Sequence, residues 1–170
     1  MNIGLDMMGG DLAPLEAVLG TAMYLTENTA PAQLTLIGDE AAINQLLSQH
    51  EVPVTNITVV HASEIIEMHE HPTKAIREKQ QSSIAIGFNL LASGKIDAFI
   101  SAGNTGAMMV GALFSIKAIE GVLRPTIGAY MPRENGSLGL LLDVGLNADC
   151  KPENLNQFAM LGSLFAEHIL

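Results

Sequence analysis

Short apolar runs alternate with longer stretches of helical spacing along this chain. NIGLDM (2–7) is an apolar run closed by Gly-Gly-Asp, and residues 14–27 read as a helix with Pro14 near its first turn. LTLIGD (34–39) reads as a strand whose Asp39 can cap the helix in DEAAINQLLSQH. NITVVHA (56–62) is strand-like again, and a helix is predicted across 73–80. Ser82 and Ser83 can cap a further helix ending near Gly94. KIDAFI (95–100) reads as a buried strand and 105–119 as a helix. TIGAYMPR and SLGLLLDVG flank ENG, whose Asn-Gly signals a hairpin. Pro152 opens a last helix, with Leu155, Phe158, Ala159, Gly162 and Phe165 at helical spacing.

This alternation predicts an α/β sandwich with a mostly parallel sheet. The hairpin near 126–143 adds an antiparallel pair, so the sheet is expected to be mixed. No repeat, low-complexity tract or linker interrupts the chain, and 1–170 reads as a single α/β domain. The final helix closes on EHIL without a Gly, Asn or Pro stop, so the chain is read as the N-terminal part of a longer protein.

Composition narrows the function classes. Hydrophobic residues make up 48%, which excludes a disordered chain. The longest apolar runs fall far short of a membrane span, and Met1 leads into NIGLDMM without a basic leader. The expected compartment is therefore cytoplasmic, and a lone cysteine, Cys150, fits reducing conditions. Structural zinc spacing is absent. A net charge of −10 argues against a duplex nucleic acid partner. Lys74, Arg77 and Lys79 nevertheless cluster within PTKAIREK, a local patch for an anion or an acidic protein.

Three glycine-bearing turns follow strands and are expected to converge at one sheet edge. They are MMGGDLAP (7–14), SAGNTGA (101–107) and DVGLNADC (143–150). In SAGNTGA, Gly103 and Gly106 permit close backbone approach, Asn104 and Thr105 offer side-chain donors, and the following helix start favours an anion. A tight turn with an N-cap remains the other reading, since neither a Walker A loop nor GxGxxG is present. In MMGGDLAP, Gly9 and Gly10 make the turn, and Asp11 can cap the following helix. In DVGLNADC, Asp143 ends a strand and Asn147 either tolerates a left-handed backbone or orients a ligand. Cys150 reads as a small buried hydrophobe or, less simply, an acyl nucleophile. His69 and His71 at i, i+2 are poor helix-face metal ligands. Lys74 and Arg77 share a helix face at i, i+3, which suits a solvated face equally well. AMMVGALFSIKAI is apolar nearly all round and reads as a core helix.

Taken in order, the blocks LDMMGGDLAP, HPTKAIREKQQSSIAIGFNLLASGKIDAFISAGNTGAMM, RPTIGAYMP and LLLDVGLNADCKPENLNQFAMLG resemble the phosphate acyltransferase (PlsX) family of bacterial phospholipid synthesis. The resemblance spans essentially the whole chain, and its long middle block is highly specific. It implies a three-layer α/β/α sandwich like that of isopropylmalate dehydrogenase, and an N-terminal half of a longer enzyme. The implied reaction transfers a long-chain acyl group from acyl carrier protein to inorganic phosphate, giving acyl phosphate. Also implied are homodimers, no metal or organic cofactor, and a cytosolic protein working peripherally at the inner face of the membrane. A membrane glycerol-3-phosphate acyltransferase would take the product. One departure is Leu12, where the family usually has histidine.

For that chemistry, the expected catalytic pair is Asn104 and Asn147, with Gly9, Gly10, Asp11, Ser101, Gly103, Thr105, Gly106 and Asp143 around the phosphate. Arg77, Lys79 and Ser83 complete the cradle or meet the acidic carrier. Direct attack by phosphate leaves Cys150 without a covalent role. Two rivals stand beside this reading: a phosphotransacetylase-like enzyme using short acyl-CoA, and a catalytically incomplete fragment.

Overall fold

In the computed structural model, which describes residues 1–170, four strands form one sheet: β1 (Asn2–Asp6), β2 (Gln33–Gly38), β3 (Ile57–His61) and β4 (Ala98–Ile100). All pairings are parallel, and the strand order is β3-β2-β1-β4. In β2 every residue from Leu34 to Gly38 is buried, as a strand covered on both faces requires. Burying a side chain such as Leu36 stabilises the fold by about 1.5–3 kcal/mol.

Helices cover both faces. Met7, Val18, Leu34, Leu36, Ile43 and Leu47 form one core beneath α1 (Leu15–Glu27) and α2 (Glu40–Gln49). Ile76, Ile84, Phe88, Ala107 and Val110 form the other, contributed by α3 (Pro72–Glu78), α4 (Ser83–Ala92) and α5 (Thr105–Ser115). The result is the three-layer α/β/α fold around a parallel central sheet. Two caps read from sequence are in place. Ala42 N–H donates to Asp39 Oδ1 at 3.0 Å, and Ala85 N–H donates to Ser82 Oγ at 3.3 Å. α5 stops four residues earlier than its apolar pattern suggests, because Lys117 adopts a left-handed φ of 70°.

Two glycines let the second core close. A Cβ at Gly87 would run into the Phe99 ring, and one at Gly111 into the Phe88 ring. The two rings then meet edge to face, with centroids 5.3 Å apart.

The sequence reading takes 1–170 as one domain with a mixed sheet. By packing, the chain divides into two compact units, Met1–Lys117 and Ala118–Leu170. In the second, β5 (Gly128–Pro132) and β6 (Leu138–Leu142) form an antiparallel sheet of their own. The local turn pairs them with each other, Gly136 taking a φ of 79°. α6 (Pro152–Ile169) lies close on β6, since a Cβ at Gly162 would meet Leu142. Phe158 is buried, but Leu155 and Phe165 of the same predicted stripe are not. The strand in KIDAFI is likewise less buried than expected. It is the edge strand of its sheet, and Ile100 is 55% exposed.

Candidate functional site

The strand order fixes where a ligand can enter. From β1 the chain winds outward through β2 to β3, then returns to add β4 on the other side of β1. The turns leaving β1 and β4 therefore lead to helices on opposite faces, which opens a crevice between them. These two turns are MMGGDLAP and SAGNTGA.

They touch. Asp6, buried at the end of β1, accepts from Met8 N–H at 2.9 Å through Oδ1. Through Oδ2 it accepts from Ser101 Oγ at 2.7 Å. Ser101 Oγ in turn accepts from Gly103 N–H at 3.1 Å. Gly9 is wedged against this link: a Cβ there would lie 2.8 Å from both Asp6 Oδ2 and Gly103 O. One at Gly10 would lie 3.3 Å from Ala102 Cβ, and Gly10 itself has a φ of 92°. Gly103, at a φ of 116°, also needs glycine's freedom.

Asn104 takes the N-cap role, the second of the two readings of its turn. Its Oδ1 accepts from Ala107 N–H at 3.1 Å, capping α5. Its Nδ2 donates to the carbonyls of Glu67, Met68 and Glu70 at 3.1–3.2 Å. The side chain is 6% exposed and fully engaged, so it positions the turn. The backbone N–H groups of Thr105 and Gly106, in the first turn of α5, make no hydrogen bond within the protein. With the positive end of the helix dipole behind them, they suit an anion.

The remaining predicted residues are placed as follows. Asp11 is exposed and does not cap α1, which begins after Pro14 without a side-chain cap. Leu12 beside it is 67% exposed. Lys79 Nζ donates to Ile65 O at 2.6 Å and pairs with the Glu70 carboxylate, tying down the loop that Asn104 also holds. The Lys79 hydrogen bond, followed by that from Glu67 N–H, holds the Glu70 pKa below the ordinary glutamate value. Ser83 is buried at the start of α4, with Ser82 serving as the cap. Arg77 is exposed and lines a separate cavity of about 360 Å3 with Phe88 and Phe114, away from the glycine turns.

Asp143 and Asn147 belong to the second unit. Asn147 Nδ2 donates to Asp143 Oδ1 at 2.9 Å and to Pro125 O at 3.1 Å. Asp143 holds a φ of 60°, and Cys150 Sγ lies 3.9 Å from its Oδ2. These contacts shape the turn itself.

The fatty acid synthesis protein family model matches residues 1–170. A phosphate acyltransferase of Halothermothrix orenii is 44% identical over all 170 residues, and one of Herpetosiphon aurantiacus is 46% identical. The chain belongs to the phosphate acyltransferase family. It spans about half the length of the curated relatives it matches, 50% and 45% of these two. Among solved structures, a phosphotransacetylase from Streptococcus pyogenes superposes with a TM-score of 0.66 at 21% identity, covering 94% of this chain and 51% of its own. The EutD phosphotransacetylase from Staphylococcus aureus gives 0.63 at 22%, covering 94% of this chain and 50% of its own. These likenesses show the shared fold.

The hydrogen bonds also bring out a residue that sequence reading passed over. Asp6 ties the two turns together, and its only signal is an acid at a strand end just before Met-Met-Gly-Gly. No helix of this phosphate acyltransferase family member is long and apolar enough to cross a membrane.

Proposed function

We propose that this chain supplies the phosphate-binding half of an acyl-[acyl carrier protein]:phosphate acyltransferase. A phosphate oxygen attacks the thioester carbonyl carbon. The new C–O bond forms, the C–S bond breaks, and the carrier's thiolate leaves to take a proton from solvent. Phosphate is already anionic at neutral pH, so the site must position it and stabilise the tetrahedral oxyanion. The N–H groups of Thr105 and Gly106, with the Gly9–Gly10 turn opposite, serve as the cradle. Asp6, Ser101 and Asn104 hold the cradle in shape. Lys74 and Arg77, exposed on α3, meet the acidic carrier, and two copies form a dimer. The acyl phosphate passes to a membrane acyltransferase.

The observation that supports this reading is the joining of two glycine turns at the β1/β4 reversal in a member of the phosphate acyltransferase family. The test is phosphate-dependent release of free carrier from a long-chain acyl-carrier thioester. This chain is assayed beside the double-length Halothermothrix orenii relative, each also offered acetyl-CoA. Carrier release by the relative, lost when its counterpart of Gly9 becomes alanine, is the expected result. Consumption of acetyl-CoA with the carrier thioester untouched would overturn it.

A further inference from the structure

We propose that the apolar cavity beside α1 holds the hydrocarbon tail of the acyl substrate, and that Gly20 sets the length of tail it accepts. The inference rests on the phosphate-turn reading only for the position of the reacting head.

The cavity measures about 660 Å3, within the usual range of small-ligand sites. At one end it is lined by Asp6 and Ser101, which join the two turns, with Gly9 and Gly10, and it runs over Ile3, Leu5 and Leu34 of the sheet. Its helical wall is the α1 stripe Ala17, Gly20 and Tyr24, at spacings of three and four. The polar groups in that wall are engaged: Thr21 Oγ1 donates to Ala17 O at 2.8 Å, and Tyr24 Oη accepts from Ala32 N–H at 2.9 Å. Of the three carboxylates of the lining, Asp11 and Glu16 are exposed, and the buried Asp6 is held by Met8 N–H and Ser101 Oγ. A long apolar cavity that opens beside the two joined turns matches an acyl chain whose reactive carbonyl sits at one terminus, next to those turns. It does not match a short acetyl group, which would leave most of the cavity empty.

Gly20 lies five residues beyond Leu15, the first residue of α1, about 7.5 Å along the helix axis. A Cβ at Gly20 would have no protein atom within 4 Å. A larger side chain there therefore projects into free space on the cavity face and shortens it without colliding with the fold.

The test is calorimetric titration of this chain with butyl, octyl and dodecyl phosphonate and with 1-dodecanol. Affinity should rise with chain length in the native chain. Gly20→Phe should weaken dodecyl phosphonate by about tenfold or more, the loss expected when two or more methylenes are no longer buried, and leave butyl phosphonate unchanged. Ala17→Phe should act in the same way, and Gly20→Ala should leave all affinities near native. Thermal unfolding of each variant confirms that the fold is intact. If dodecanol binds as tightly as the phosphonate and responds equally to Gly20→Phe, the tail site stands and the phosphate reading falls. Affinity independent of chain length, or unaffected by both phenylalanine variants in folded protein, would overturn the proposal.

Discussion

Ser101 Oγ donates to Asp6 Oδ2 at 2.7 Å, a bond that spans 95 residues of sequence and joins the ends of two neighbouring parallel strands. Removing the hydroxyl leaves a buried carboxylate oxygen without its donor, which costs about 1–3 kcal/mol. Ser101→Ala is expected to lower the urea midpoint accordingly, with the slope unchanged. An unchanged midpoint would show that water replaces the hydroxyl at no cost.

Gly9, in the turn after β1, and Gly20, inside α1, should respond oppositely to one methyl group. Gly9→Ala places Cβ 2.8 Å from Asp6 Oδ2 and from Gly103 O, and overpacking of that kind costs about 1–3 kcal/mol. Gly20→Ala meets nothing within 4 Å and should stabilise by roughly 0.5–1 kcal/mol through helix propensity. Melting temperatures should therefore move in opposite directions, by about 2–4 °C per kcal/mol. A shift of the same sign in both variants contradicts the packing described for Gly9.

Asn104 carries two separable functions. Asn104→Asp keeps the oxygen that caps α5 and loses the amide donors to Glu67, Met68 and Glu70. Asn104→Ala loses both, and loss of the cap alone is worth about 0.5–2 kcal/mol. The alanine variant should be the less stable of the two in chemical denaturation. In both, hydrogen exchange should quicken across residues 67–70. If stability is native in both while phosphate binding is lost, Asn104 is a ligand rather than a brace.

The Glu70–Lys79 pair gives the same loop a pH dependence. Because the Lys79 hydrogen bond lowers the Glu70 pKa in the folded chain, the stabilisation is fully present above the ordinary glutamate value. It is lost as pH falls through the lowered folded value. Glu70→Gln should flatten this part of the acid limb of the stability curve and change nothing in the shape near neutrality. Melting curves of both forms across the acid range would check this. Parallel curves would mean the pair is unimportant to folding.

Local chemistry made much of this molecule readable in advance. Asp39 and Ser82 are caps because an oxygen one residue before an amphipathic run has few other uses, and Asn135-Gly136 is a hairpin turn because of its backbone freedom. What the chain order concealed was strand order. Only with β4 placed beside β1 does Asp6 meet Ser101, and only then does the Glu67–Glu70 loop reach the Asn104 amide. Asp11 misled because an acid before a helix resembles a cap, whereas the chain runs on through a turn to Pro14 first. The hairpin misled for a similar reason: its antiparallel pairing was legible, but its separation from the parallel sheet was not.

The two rings seated over glycines leave a trace that could be sought in descent rather than in the test tube. Gly87 cannot gain a side chain while Phe99 stands over it, nor Gly111 while Phe88 does. Each pair can drift only by a joint change, the ring shrinking as the glycine grows. A relative with alanine at the position of Gly87 is expected to carry a smaller residue at that of Phe99. The second core of this fold is thus inherited as two coupled pairs instead of four independent sites.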